Sequence, residues 1–267
     1  MQLLRTTLLI FQMHLVQVLR SRRLLVLLVL AVLPPLIAWL GLQFGPGADA
    51  GPREPGTVRG APDVLRTVVL FLHIQVVLPI LALVAGSAVV TEEIENRTIT
   101  YLFLRPIPRA ALLLGRWLAN LVVVLALLLG SAMAVVWAVR ASGQTPPVDL
   151  VQRILWALAL GGAVYSLLGA VLGVFLRKPM IVCLGYAFAF EVGLANVPGS
   201  TQRLSLQYYL RSIVVEQEDS AFQPFRILQV VEYLTPAEAT VRLLAVMVIA
   251  LAVGTWFIQR RQYVLTS

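Results

Sequence analysis

The sequence predicts an all-α polytopic membrane protein, with six transmembrane helices preceded by an N-terminal amphipathic interface helix. Three observations carry this. Of 267 residues, 59% are hydrophobic and 13% charged, against roughly 45–50% and about 25% in a soluble domain. Mean hydropathy is +0.87. Six stretches approach the roughly 20 apolar residues that a helix needs to cross a ~30 Å hydrocarbon core. Such a composition excludes an ordinary cytosolic enzyme, a disordered chain and a disulfide-rich secreted scaffold. The lone Cys183 forbids an intrachain disulfide.

Residues 1–23 form the interface helix. Leu4, Leu8, Phe11, Leu15, Val18 and Leu19 fall on one side of a helical wheel, with Arg5, Gln12, Gln17 and Arg20 off it. The alternative is a signal-peptide n-region, but the apolar run that follows exceeds the roughly 7–15 residues of a signal h-region. Spans one and two occupy 24–90. The first is 24–44. The second, 67–90, carries His73 and Gln75, and a Gly- and Pro-rich loop at 45–62 separates the two. A charged cytoplasmic loop follows at 91–116.

Residues 117–198 hold spans three to five, at 117–139, 154–176 and 179–198; the fifth contains Glu191. Residues 199–236 form an outer region, too apolar for a free loop and too polar to span. Short helices dipping toward the outer leaflet, or capping the bundle, suit it. Residues 237–267 hold span six and a cytoplasmic tail, with Glu238 and Arg242 near the headgroups. No useful internal repeat is visible, which argues against an inverted-repeat transporter.

Charge sets the orientation. Twenty of the twenty-one basic residues are Arg, and Lys178 is the single Lys. With both termini inside, the inner segments hold twelve basic residues and net +9, the outer ones nine and net 0; Glu191, within the membrane, completes the formal +8. The positive-inside rule then makes the basic face cytoplasmic. Such sidedness accounts for the basicity without nucleic acid as a partner; the partner that surrounds the chain is membrane lipid.

Small residues mark where helices can approach closely. The fourth span has Gly162, Ser166 and Ala170 at spacing four, with Gly169 and Gly173 beside them; the fifth has Gly185, Ala189 and Gly193. Glu191 is the one acid inside a span, and such a group faces a cavity or a partner. It lies twelve residues along its helix from Pro179, about 18 Å deep. His73 lies six residues from the other face, about 9 Å down. The depths agree within tilt, so Glu191 is expected in the bundle interior near His73 or Gln75. There it would lock an outward gate by hydrogen bonds or contact a polar cargo.

The loop between spans two and three reads Thr91-Glu92-Glu93-Ile94-Glu95-Asn96-Arg97-Thr98-Ile99-Thr100-Tyr101-Leu102-Phe103-Leu104-Arg105-Pro106-Ile107-Pro108-Arg109. Thr91 reads as an N-cap with acids in the following turn. Ile94, Thr98, Tyr101 and Leu102 share a face, and Pro106 and Pro108 stop the helix. A short amphipathic helix rigidly joined to two spans is suited to receive force from a soluble partner.

These residues resemble the permease subunits of ABC-type exporters of the second type: the acids after the second span, Asn96-Arg97-Thr98, then Leu104-Arg105-Pro106-Ile107-Pro108-Arg109. The resemblance covers most of the chain. It implies a coupling helix that docks on a separate ATPase subunit. The coupling role falls on Glu92, Glu93, Glu95, Arg97, Thr98 and Tyr101, and the end of the loop on Pro106, Pro108 and Arg109. It further implies two permease subunits, a homodimer being expected, and two ATPase subunits that bind ATP and Mg. The expected membrane is a bacterial inner membrane, and an accessory protein on the outer side is left open.

Three other readings compete with this resemblance. The chain has no Gly-rich phosphate loop ending in Gly-Lys-Ser/Thr, so ATP chemistry would belong to the partner and the chain itself would hold no catalytic site or cofactor. Glu92-Glu93-Ile94-Glu95-Asn96-Arg97 also matches the Glu-Glu-x-x-x-Arg signature of CAAX-type prenyl proteases. That resemblance further requires Phe-x-x-x-His and a second His motif downstream. His14 follows Ile10 and His73 follows Val69 by four, no His lies downstream, and two separated His build no metal site. An ATP-independent secondary transporter or channel stays as the alternative, resting on Glu191 alone.

Overall fold

A computed structural model describes residues 2–44, 61–95, 109–143, 145–176, 179–194, 200–215 and 234–260. Among the described residues every regular element is helical. Helix α1 spans Gln2–Arg20 and α2 Arg22–Phe44. Helix α3 runs unbroken over 61–95, as an α-helical turn pair Ala61–Val68, a π-helical stretch Val69–Val77 and an α-helix Leu78–Glu95. Helix α4 is Arg109–Ala141 and α5 Val148–Phe175. Helix α6 covers 179–194, α-helical over Pro179–Tyr186 and π-helical over Ala187–Leu194. A 3₁₀ turn at Ser200–Leu204 leads into the nine-residue α7, Leu206–Val214, and α8 is Pro236–Arg260.

Among the described residues, five helices are long and apolar enough to cross a membrane: Arg22–Phe44, Leu65–Val89, Leu112–Ala141, Val148–Phe175 and Pro236–Phe257. The expected fifth span is a shorter apolar helix in its described part, so the protein is polytopic and all-α while the count of six rests on the sequence. The outward faces are apolar. Leu25, Val26, Val29, Trp137, Ile181, Val248 and Ile249 are exposed, a surface that suits lipid and not water.

Cross-helix contacts fix the register. Helices α3 and α4 run antiparallel, since Asn120 donates to the Ala85 carbonyl and Arg116 to that of Val89 at 3.3 Å. Helices α3 and α5 run parallel: Gly169 packs on Leu83 and Gly173 on Ser87. Helices α5 and α8 are parallel too, with Trp156 donating to Thr240 and Phe175 meeting Phe257. The centre of the core is α3 and α5, where Ile74, Leu78, Leu81, Leu83, Leu158 and Tyr165 are fully buried.

Helix α1 packs on the start of α4. Gly115 lies against the Thr7 carbonyl and Ile10, and His14 is buried, while Leu8, Leu9, Met13, Val16 and Leu19 stay exposed. The helix breaks at Ser21, whose hydroxyl donates to the Val18 carbonyl at 2.8 Å, and α2 starts at once.

One expectation needs correction. Thr91 does not start a separate helix, because α3 runs through it to Glu95. No Gly or Pro stands between Val90 and Glu95 to stop a helix already formed.

Candidate functional site

Among the described residues, a dense polar cluster sits where α6, α7 and α3 meet. Helix α7 has the sequence Leu206-Gln-Tyr-Tyr-Leu-Arg-Ser-Ile-Val214, and Gln207, Arg211 and Ser212 are as buried as its apolar residues. A buried polar side chain costs free energy unless it is paired, so these three must find partners. Ser205 is the N-cap: its hydroxyl accepts from the Gln207 backbone N–H at 3.1 Å.

Glu191 completes that cap from the neighbouring helix. Its Oε2 accepts from the Ser205 hydroxyl at 2.6 Å and from the Gln207 N–H at 3.2 Å. Its Oε1 accepts from the Tyr186 hydroxyl at 2.8 Å and the Leu206 N–H at 3.4 Å. All four partners are donors, as an acceptor-only carboxylate requires, and the N-terminal end of α7 favours negative charge. The buried hydroxyl of Tyr165, on α5, faces the same carboxylate.

The network continues into α3. The Gln207 side chain donates to the Gln75 carbonyl at 3.1 Å. Arg211 donates to the side-chain oxygens of Gln75 and Gln207, each at 3.2 Å. Of the two neighbours expected for Glu191, Gln75 joins the network through Gln207 and Arg211, and His73 does not. His73 turns toward α4 and pairs with the Ser131 hydroxyl at 3.0 Å. Ser131 in turn donates to the Ala31 carbonyl of α2. His73 therefore ties three helices together on the far side of α3.

The small residues divide by helix. Gly169 and Gly173 admit α3, and Gly162 admits Leu128 of α4. Ser166 accepts from Trp117 Nε1 at 3.1 Å. On α6, Gly185 meets nothing within 4 Å and Gly193 meets just its own helix, at the Phe188 carbonyl. The α5 residues thus pack within this chain, and the α6 glycines face away from it.

Of the loop positions, Glu92, Glu93 and Glu95 lie in the last turn of α3, and Arg109 opens α4. Arg97, Thr98, Tyr101, Pro106 and Pro108 lie outside the described residues. Among the described residues, no three His, Cys, Asp or Glu side chains gather as metal ligands would.

Sequence reasoning singled out Glu191 and Gln75 but not the residues that join them: Tyr186, Ser205, Gln207 and Arg211. A signal existed. Ser205 precedes an apolar run, as an N-cap does, and Gln207 and Arg211 stand four apart on one face.

A bundle of apolar helices with a lipid-suited exterior and a buried polar cluster within it defines an integral membrane protein. A family described as ABC-2 family transporter protein matches residues 8–262. The chain belongs to this family and is a multi-pass permease component of an ABC transporter, a membership that implies an ABC ATPase subunit as its partner. A search of curated proteins finds no match.

Proposed function

We propose that this permease is the membrane half of an ATP-driven exporter, with ATP hydrolysis carried out by a separate ATPase subunit. The family match over residues 8–262 carries the reading. The sequence supports the division of labour, since its one Lys, Lys178, stands between Arg177 and Pro179 and not in a phosphate-binding loop. Two permeases, a homodimer, would work with two ATPases in a bacterial inner membrane, with both termini cytoplasmic. The ATPases close on ATP and Mg. Their motion pushes the 91–109 segment, and the helices continuous with it carry the movement into the bundle.

The test is purification of the full chain from its native membrane in mild detergent. An ATPase subunit should co-purify, and its ATP turnover should change when the permease is present. A permease that moves cargo in sealed vesicles with neither ATPase nor ATP would overturn the reading and favour a secondary transporter.

A further inference from the structure

We propose that α7 is a movable plug, held in the bundle by a polar latch whose two anchors, Glu191 and Gln75, are both carried on π-helical stretches. Depth comes first. Leu210 of α7 packs on Gly161 of α5, where an added Cβ would lie 2.9 Å from it. Gly161 is thirteen residues from the start of α5 at Val148, roughly 20 Å along its axis. The helix therefore enters the bundle instead of lying across its end. Its buried face includes Leu206, Leu210, Ile213 and Val214.

The second observation is where the anchors sit. Pi-helix is rare and concentrates at functional sites. The described residues contain two such stretches, Val69–Val77 and Ala187–Leu194. Gln75 lies in one and Glu191 in the other, and both bind α7. At the end of the first stretch the Leu78 N–H bonds to the His73 carbonyl, five residues back. A π stretch holds one residue more than the α-helix it interrupts. Sliding it along the helix exchanges hydrogen bonds one for one and turns the residues it passes by about 100°, one residue's step. Such a slide turns Gln75 or Glu191 away from α7 without unfolding either helix.

The third observation is a pair of donors outside α7. When α7 leaves, Glu191 loses Ser205, Leu206 and Gln207 but keeps Tyr186, and Tyr165 of α5 faces the same carboxylate. The two tyrosines stay with the carboxylate in the released state, so the buried acid is not stranded.

This deepens the exporter reading, in which a plug must move once per cycle, and its test separates the two. Ser212 is fully buried on α7. In a Cys183→Ala background, Ser212→Cys in the full chain in lipid nanodiscs is exposed to a water-soluble maleimide. Glu191→Ala should speed labelling roughly tenfold or more, because the plugged state loses the bonds from Ser205, Leu206 and Gln207 as well as those from the tyrosines, whereas the released state loses the tyrosines alone. Tyr165→Phe should slow labelling or leave it unchanged, because Tyr165 is one of five donors facing the carboxylate in the plugged state and one of two in the released state. Should Glu191→Ala fail to fold, Gln75→Ala is the substitute and should also speed labelling. If the Glu191 and Gln75 variants label like the parent, or if Tyr165→Phe accelerates as they do, the latch is overturned, since general loosening moves all of them one way. A second arm adds ATP and Mg to the complex with its co-purified ATPase. Faster labelling there supports the plug as the ATP-driven gate. Acceleration by Glu191→Ala with none from ATP leaves the latch standing and overturns the exporter reading.

Discussion

Gly86 packs so tightly on Ser166 that a Cβ placed on the glycine would run into the Ser166 carbonyl oxygen. The obstacle is backbone and cannot swing aside. Nearby, Gly169 would place a Cβ 2.5 Å from the Leu83 carbonyl and Gly173 one 2.8 Å from that of Ser87. Helices α3 and α5 therefore run side by side at glycine distance along the whole centre of the bundle. In lipid, where water does not drive helices together, this close van der Waals contact is what holds them.

Gly86→Ala should therefore destabilise the bundle by about 3 kcal/mol, the upper part of the range for overpacking. Gly185→Ala meets nothing within 4 Å and should be neutral, or stabilise by up to about 1 kcal/mol through helix propensity. Thermal unfolding in one detergent checks both. Equal melting of the two variants would show that the α3–α5 contact is looser than described.

A buried hydrogen bond beside that contact gives a second measurement. Trp117 of α4 donates to the Ser166 hydroxyl at 3.1 Å, and Ser166 donates on to the Ala163 carbonyl at 3.1 Å. In membranes such side-chain bonds average about 0.6 kcal/mol and reach about 1.7, because the unfolded helices find other partners. A double-mutant cycle of Trp117→Phe and Ser166→Ala should give a coupling energy in that range. A coupling of zero would mean that the Trp117 ring contributes by packing alone.

The spans were legible because about twenty apolar residues in a row have few other fates in a chain this poor in charge. The glycines of α5 were legible as packing surfaces, but their partner was not. Spacing shows that Gly169 and Gly173 share a face and cannot show that Leu83 and Ser87 lie against it. Glu191 was legible as an interior group because an acid facing lipid is costly. Its true partners, Ser205 and Gln207, are fourteen and sixteen residues away on a helix of nine residues, too short for periodicity to reveal. The π-helical stretches escape sequence reading for a related reason: the shift from α to π is decided by what packs around the helix. Depth alone put His73 and Gln75 level with Glu191, and two residues apart on a helix they point to nearly opposite sides, so only one of the two could face it. The run past Thr91 shows the opposite failure, since a good N-cap residue caps nothing when the preceding helix has no reason to stop.

The charge split, +9 on one set of segments and 0 on the other, predicts an orientation with the basic segments inside. In a Cys183→Ala background, cysteines at Gly47, Ser142 and Ser220 should react with an impermeant thiol reagent added outside intact cells. Those at Ser21, Thr98 and Thr266 should not. Ser142 is used because its neighbour Gly143 has φ +81°, a conformation that a Cβ disfavours. Labelling of Thr98→Cys from outside would invert the topology and remove the basis for docking an ATPase on that loop.

The end of α3 leads to the last prediction. Glu92, Glu93 and Glu95 fall in its final turn, which holds no basic residue. Carboxylates there oppose the negative end of the helix dipole, at roughly 0.3–1 kcal/mol each. A helix terminus that pays this cost is better explained by a cationic surface docked against it than by its own stability. The helix is also continuous from Leu78 to Glu95, so a push at the acids reaches the α3–α5 contact without a hinge between. Glu92→Lys combined with Glu93→Lys should then have two opposite effects. The isolated permease should melt at the same temperature or higher, since the charges now suit the dipole. Binding of the ATPase subunit should weaken by up to about 2 kcal/mol, roughly thirtyfold, for two exposed ion pairs at about 0–1 kcal/mol each. Either single change is too small for a fair test. Titration of the purified ATPase against the double variant measures the affinity, and a scan of the variant alone measures the melt. Unchanged ATPase affinity and turnover would remove these acids from the coupling surface.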